Sequence, residues 1–179
     1  MTVEQMKQYA LEEGFAKAEV VDTSCIPFDF SFRQFCNGEQ CRRYGKNYTC
    51  PPHCDTPEVM KERIMAHQKA LVVQSLVELP EPMDIEDYQQ AEQRHNRRIL
   101  HLMKRLREEG CPGFMVGASG CTLCTPCAIT KGEPCSQPEQ RFSGMSAYCI
   151  FVKKLAEQCG MAYDMEPGKL PIFGMYIFE

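Results

Sequence analysis

The alternation of apolar and polar residues along the chain predicts helices and strands that interleave. Helices are expected where apolar residues recur every three or four positions, and strands where they alternate or run together. The predicted helices cover residues 2–13, a stretch that starts at 56, residues 84–109 and residues 143–160. The predicted strands cover residues 15–22, 69–79, 113–118 and 172–178. Thr2 and Ser143 are expected to be N-caps, because a hydroxyl there can accept a free backbone N–H.

The segment between residues 84 and 109 is the clearest predicted helix. One apolar stripe consists of Ile85, Tyr88, Ile99, Leu102 and Leu106. Acidic residues open the helix and basic residues fill its second half, which is the distribution that the helix dipole favours. The basic half either docks an acidic electron-transfer partner or is a solvated face, and the solvated face is favoured.

The order of these elements predicts a single domain over residues 1–179. Its class is α/β or α+β, with a sheet of about four or five strands flanked by helices. The connections are long enough for crossover helices, and a turn is expected at residues 80–82. Two cysteine-rich, metal-binding loops are expected to lie outside the sheet.

Cysteine is the residue that distinguishes this composition. The chain has 179 residues and 12 cysteines, while 44% hydrophobic and 25% charged residues are ordinary values for a globular protein. The opening residues contain no apolar run that would direct secretion, so we expect the cytoplasm, where thiols stay reduced. No apolar run is long enough for a membrane span. Metal or cluster ligation therefore explains the cysteines better than disulfides do.

Net charge and missing motifs narrow the function further. The formal net charge is -4, so no nucleic-acid partner is expected. The sequence has no G-x-S-x-G nucleophile motif, no Walker-type phosphate loop and no dinucleotide fingerprint. If the protein is an enzyme, a bound cofactor supplies the chemistry.

The sharper of two cysteine blocks spans residues 120–135 and has the spacing C-x2-C-x2-C-x7-C. Its cysteines are Cys121, Cys124, Cys127 and Cys135. Three thiolates spaced three residues apart allow one short loop to bind several metal atoms of a cluster, as ferredoxin loops do around a [4Fe–4S] cluster. A single zinc ion is more often held by separated pairs of cysteines. The spacing therefore favours iron–sulfur over zinc, and the fourth ligand is either Cys135 or a cysteine exchanged between blocks.

The other block spans residues 36–54 and has the spacing C-x4-C-x8-C-x3-C. Its cysteines are Cys36, Cys41, Cys50 and Cys54. Two tetrathiolate sites of charge -2 each would move the net charge from -4 to about -8, so nearby cations would help. Arg42, Arg43 and Lys46 lie between the thiols and either offset that charge or are solvated loop residues. His53 is an alternative ligand in this block, although a thiolate is favoured.

Four cysteines fall outside both blocks. They are Cys25, Cys111, Cys149 and Cys159. Free cysteine behaves as a small buried apolar residue, and packing is the expected role of each. Cys111, which follows the end of the long helix, is the candidate for a spare ligand.

The two cysteine blocks and their flanking residues resemble those of an uncharacterised protein family. The matching motifs are Cys36…Cys41…Tyr44-Gly45-Lys46-Asn47…Cys50-Pro51-Pro52…Cys54 and Cys121-x2-Cys124-x2-Cys127…Pro134-Cys135…Pro138…Arg141-x-Ser143. The resemblance covers about residues 20–178, and the family, from anaerobic bacteria and archaea, is labelled only "predicted metal-binding protein". It implies metal binding, with two iron–sulfur clusters as the best fit, and supplies no established reaction.

These observations predict a cytoplasmic iron–sulfur protein. We expect two [4Fe–4S] clusters, one in each block, and single-electron transfer with a redox partner protein. The first alternative is a cluster-dependent enzyme in which one cluster has a ligand position open to substrate. The second is a structural zinc protein whose four-thiolate sites brace its loops. The sequence predicts neither the substrate nor the oligomeric state.

Overall fold

A four-stranded sheet forms the centre of the protein. The computed structural model describes residues 1–80, 84–164 and 166–179, so the turn predicted at 80–82 lies mostly outside the described residues. The strands are β1 (Lys17–Asp22), β2 (Lys69–Glu78), β3 (Gly113–Val116) and β4 (Lys169–Phe178). The α-helices are α1 (Val3–Glu12), α2 (Pro57–Met65), α3 (Ile85–Glu108) and α4 (Val152–Gln158). Short 3₁₀ helices cover Thr23–Cys25, Phe30–Phe35 and Ala128–Lys131.

The two central strands of the sheet, β2 and β4, pair along their whole length. Their register runs from Lys69 opposite Phe178 to Glu78 opposite Lys169. β1 pairs with the free side of β2, and β3 with the free side of β4, which gives the order β1-β2-β4-β3. Both central strands are long apolar runs because each is buried over most of its length.

Every neighbouring pair of strands in this sheet is antiparallel, which places the fold in the α+β class. Of the two expected classes, α/β and α+β, the structure confirms α+β, and the four strands agree with the expected sheet of about four or five. The helix α3 is a crossover connection, since β2 and β3 both run antiparallel to β4 and are therefore parallel to each other. Consecutive strands β1 and β2, and likewise β3 and β4, are antiparallel neighbours.

Helices cover both faces of the sheet, so the protein has a core on each face. On one face, α1 and α3 pack against Leu71 and Val73. On the other face, α2, α4 and a loop at residues 145–150 pack against Val72 and Met175. Successive residues of β2 thus enter opposite cores, as the two-residue period of a strand requires.

The starts of the helices follow local sequence signals. The Thr2 hydroxyl accepts the Gln5 N–H at 3.2 Å, and the Thr56 hydroxyl accepts the Val59 N–H at 3.5 Å. The Asp84 carboxylate caps α3 in the same way. The predicted helices at 2–13 and 84–109 are confirmed to within a residue or two. None of the described helices combines the length and the apolar character that a bilayer crossing needs.

The helix predicted over residues 143–160 is wrong in its first half, and Ser143 is not its N-cap. Only α4, in the second half of that range, is helical. Gly144 instead forms a bridge with Gly117, which follows β3, and the Gly117 N–H donates to the Ser143 carbonyl at 3.0 Å. A Cβ on Gly144 would lie 2.5 Å from the Ser119 backbone, so this close approach requires glycine.

Candidate metal centre

The structure brings the four cysteines of the first block together in the loop that leads to α2. Burial raises the pKa of Cys50 to about 12; the Arg43 guanidinium opposes this effect, and the thiols of Cys36, Cys41 and Cys54 reinforce it. Each of these charges acts on Cys50 because it lies close by. The predicted ligands of the first block therefore share one neighbourhood.

Arg33 contacts this block directly, and the sequence analysis missed it. Its Nη1 donates to the Cys54 Sγ at 3.2 Å, and its Nη2 donates to the backbone carbonyl of Asp55. A hydrogen bond from a cation favours the thiolate, which is the form that binds metals. Arg33 lies three residues before Cys36, and that proximity in sequence is the signal that identifies it.

Arg43 is the predicted cation that the structure places beside a block thiol. It forms an ion pair with the buried carboxylate of Glu92 at 3.3 Å while acting on Cys50. Arg42 and Lys46 are exposed, as expected if they are solvated loop residues.

The second block surrounds a small cavity of about 20 Å³, and all four of its thiols line that cavity. Burial raises the pKa of Cys121, and the nearby backbone N–H groups of Leu123 and Phe142 oppose that effect. The Cys124 Sγ lies 3.7 Å from Gln137 Nε2 and 3.6 Å from the hydroxyl of Ser136. Donors of this kind orient and stabilise metal-bound sulfur. Cys135 lies with its own block at this cavity.

The two blocks are in direct contact. Asn47 Nδ2 donates to the Cys121 carbonyl at 2.9 Å, and the Cys121 N–H donates to Thr49 Oγ1 at 3.0 Å. A Cβ on Gly120 would lie 2.5 Å from the Cys50 Sγ, so glycine is what allows the loops to approach this closely. The two sets of thiols consequently lie in adjacent loops.

One thiol of each block packs against a different core of the sheet. Cys54 packs against the core that contains α2 and α4, and Cys121 against the core that contains α1 and α3. The sheet thus anchors each loop at a block cysteine.

Cys149 lies near the first block, although sequence reasoning assigned it to packing alone. It is fully buried, and its backbone has the left-handed φ of 57°. Burial raises the pKa of Cys149; Arg33 opposes this effect, and the Cys36 thiol reinforces it. Because Cys36 and Cys149 are far apart in the sequence, no local spacing connects them.

Cys111 and His53 are the candidate additional ligands, and their surroundings differ. Cys111 packs in the core of α1 and α3, and its carbonyl accepts the Tyr176 hydroxyl at 2.7 Å. His53 is exposed, and the centroid of its ring lies 6.4 Å from that of Tyr48. The structure gives neither residue a position among the gathered thiols described above.

Thiolates are soft donors that suit zinc, copper(I) and iron–sulfur clusters. Within the residues that the structure describes, no group of three or more His, Cys, Asp or Glu side chains is arranged to hold a metal ion. The two cysteine blocks offer two sets of four soft donors in adjacent loops, and it is their donor chemistry, not a preformed ligand arrangement, that fits a thiolate-bound metal group.

An α+β fold that carries two adjacent four-cysteine loops is typical of a thiol-rich, metal-binding protein. The chain belongs to the family described as "Predicted metal-binding protein (DUF2284)", whose model matches residues 19–178. This match confirms the family resemblance, and the matched range contains both cysteine blocks. No curated protein and no solved structure matches the chain.

Proposed function

We propose that this protein binds two [4Fe–4S] clusters and transfers single electrons in the cytoplasm. The ligands of one cluster would be Cys36, Cys41, Cys50 and Cys54, and those of the other Cys121, Cys124, Cys127 and Cys135. The observation that carries the proposal is that all four cysteines of the second block line the same cavity. Bound clusters would supply one-electron chemistry.

The surroundings of each block support the proposal, because they oppose the negative charge of a tetrathiolate site. In the first block, Arg33 donates to Cys54 and Arg43 acts on Cys50. In the second block, neutral backbone and side-chain donors surround Cys121 and Cys124. Cations and N–H donors around sulfur also set the reduction potential of a cluster.

The contact between the blocks supports electron transfer between the two centres. Gly120, next to Cys121, touches the sulfur of Cys50, so no intervening layer of side chains separates the loops at that point. At the tip of the second loop, Thr125 and Pro126 are exposed. A redox partner protein that docks there would approach within a few residues of the thiols.

Metal analysis and EPR spectroscopy of protein purified under strict anaerobic conditions test the proposal. We expect a brown protein with broad absorption near ~400 nm, about eight irons per chain and an EPR signal on reduction. Cys127→Ser should remove about half of the iron, whereas Cys159→Ser, outside both blocks, should keep it. Colourless protein with stoichiometric zinc would contradict the proposal and support structural zinc sites.

A cavity beside the first block favours a second candidate function, a cluster-dependent enzyme with one ligand position open to substrate. The cavity measures about 630 Å³, and its walls include Cys36, Cys41 and Cys50. Tyr88 and Glu92 on α3 form part of the facing wall. A volume of this size accommodates a small molecule. A substrate bound there would lie against the sulfur atoms of the first block.

Serine substitutions at the block cysteines separate the two functions. If every cysteine of the first block is needed for full metal content, the site is closed and electron transfer is favoured. If one of them can be replaced without loss of metal, that position is open and the enzyme is favoured. The metal content of each variant is measured on anaerobically purified protein.

A further inference from the structure

A separate cavity of about 310 Å³ lies among α2, α3, β3 and the loop at residues 139–143. Cys54 forms part of its wall, so the cavity adjoins the first cysteine block. Apolar residues of β3, Phe114 and Met115, form another part. The polar side chains in the remaining walls determine what the cavity can bind.

Three arginines from three parts of the fold meet at this cavity. They are Arg63 on α2, Arg107 on α3 and Arg141 in the adjoining loop. Positive charges that converge on one space repel one another unless an anion lies between them. The acidic residues in the same walls are Asp55 and Glu139, so the arginines outnumber them by three to two.

Two of these guanidinium groups are held by protein contacts. Arg107 donates through Nε and Nη2 to the Gly113 carbonyl, at 3.1 and 2.6 Å. Arg63 Nη2 donates to the Asp55 carboxylate at 2.6 Å. Because a guanidinium carries five N–H donors, each of these groups keeps donors for a further partner.

Arg141 lies in the exposed loop at the edge of the cavity. Its guanidinium carbon is 6.0 Å from the centroid of the Tyr48 ring. An arginine placed over an aromatic face can still present its fork of N–H groups to an anion, with bidentate geometry for carboxylate or phosphate.

A buried phenol adds a neutral donor to the cavity wall. Tyr148 is 2% exposed and lines the cavity together with Arg63. Burial raises the pKa of Tyr148, so the hydroxyl remains protonated near neutral pH. It can therefore donate a hydrogen bond to an anion beside the arginines.

We propose that this cavity is a binding site for a small metabolite that carries a carboxylate or phosphate group. The volume is at the lower end of the range for small-molecule sites. The donors are the N–H groups of the three arginines and the hydroxyl of Tyr148, and Phe114 contacts the apolar part of the ligand. The site does not depend on which metal the cysteine blocks hold.

Isothermal titration calorimetry of the full-length protein, purified anaerobically, tests this site. Inorganic phosphate and succinate are titrated separately at constant ionic strength, and the two titrations distinguish a phosphate ligand from a carboxylate ligand. We expect saturable binding of one anion per chain for at least one of them. Arg141→Gln should weaken that binding about tenfold or more, because it removes a charge-assisted contact.

Arg97→Gln is the matched control, since Arg97 is an exposed arginine of α3 that does not line the cavity. It removes the same charge and should leave the affinity unchanged. The proposal is overturned if neither anion binds saturably. It is equally overturned if Arg97→Gln weakens binding as much as Arg141→Gln does, because the effect then reflects overall charge.

Discussion

Single residues set the environment of the block thiols in two different ways. Arg33 places a positive charge against the Cys54 sulfur, at 3.2 Å. Gly120 acts through the absence of a side chain, since its backbone occupies the space beside the Cys50 sulfur. The first effect is electrostatic and the second is steric, so substitutions at the two positions should change different properties.

Arg33→Gln should weaken the hold of the first block on its metal. A hydrogen bond to a charged group contributes about 1.5–3 kcal/mol, so metal loss to a chelator should become about tenfold faster. The rate is measured on anaerobic protein mixed with excess chelator. Arg42→Gln, which changes an exposed arginine of the same loop, is the control. Equal rates in the two variants would refute a specific role for Arg33.

Gly120→Ala should lower the free energy of unfolding by about 1–3 kcal/mol, the usual cost of overpacking. The new Cβ would lie 2.5 Å from the Cys50 Sγ, so one loop must move. Gly38→Ala is the control from the first block, because its Cβ would be an ordinary 3.7 Å from the Tyr44 ring. Denaturant unfolding measures both. A loss no greater for Gly120→Ala than for Gly38→Ala would disprove the close contact.

Among the elements, α3 does more than cover the sheet with its apolar stripe. It buries His95, whose Nδ1 lies 2.8 Å from the Ser75 hydroxyl and whose ring meets Phe15 edge-on at 5.3 Å. Burial, together with the nearby Arg98 guanidinium, lowers the pKa of His95 to about 3. The imidazole is therefore neutral in the folded protein well below neutral pH.

Stability should fall as the pH drops below the ordinary pKa of histidine, about 6.5. There the unfolded chain binds a proton at His95 that the folded protein binds only near pH 3. Between pH 7.5 and pH 5 this difference in proton binding should lower the free energy of unfolding by about 2 kcal/mol. Chemical unfolding at several pH values measures the slope. His95→Gln should flatten the slope, and His101→Gln, at an exposed position, should not; an unchanged slope in His95→Gln would rule out this origin.

The helices and strands that local signals define could be predicted from the sequence. Thr2 and Thr56 act on backbone groups three residues away, and the apolar stripe of α3 is visible in the sequence itself. The prediction for the first half of residues 143–160 was wrong because contacts with distant residues determine the structure there. Gly144 pairs with Gly117 and contacts the Ser119 backbone, and those contacts override helix propensity.

For the molecule as a whole, spacing in the sequence defines the two cysteine blocks but does not predict how the blocks meet. Spacing within a block identifies four thiols, because those residues are near one another in the chain. The contact between Asn47 and Cys121 joins residues 74 positions apart. Arg33 is close to the first block in the sequence, but its contact with Cys54 spans 21 positions. Such contacts depend on the sheet that anchors both loops, so they become visible only in three dimensions.

Asn47→Ala should destabilise both blocks together. Asn47 is buried; its Nδ2 donates to the Cys121 carbonyl, and its Oδ1 accepts the Thr49 N–H at 3.0 Å. The substitution also removes the bond from the Thr49 hydroxyl to Oδ1. Loss of these bonds leaves buried groups without partners and should cost about 2 kcal/mol of unfolding free energy. Metal content should fall in both blocks. Each block is measured separately in a variant in which the cysteines of the other block are replaced by serine.

Tyr48→Phe provides the comparison for that prediction. It removes one hydrogen bond between the same two loops, from the Tyr48 hydroxyl to the Glu133 carbonyl at 2.7 Å, at an exposed position. The expected cost is less than about 1 kcal/mol, because water can replace an exposed hydrogen bond. If the two variants behaved alike, the buried bonds of Asn47 would not be what joins the blocks.

The pairing of β2 with β4 has a consequence for how the protein is made. β4 starts at Lys169, so every cysteine of both blocks leaves the ribosome before β2 acquires its longest partner. Synthesis proceeds from the N-terminus, and contacts between distant segments form late. The thiols of the nascent chain are therefore exposed before the sheet that anchors them is complete. Metal delivery during translation, rather than to the finished fold, would protect them over that interval.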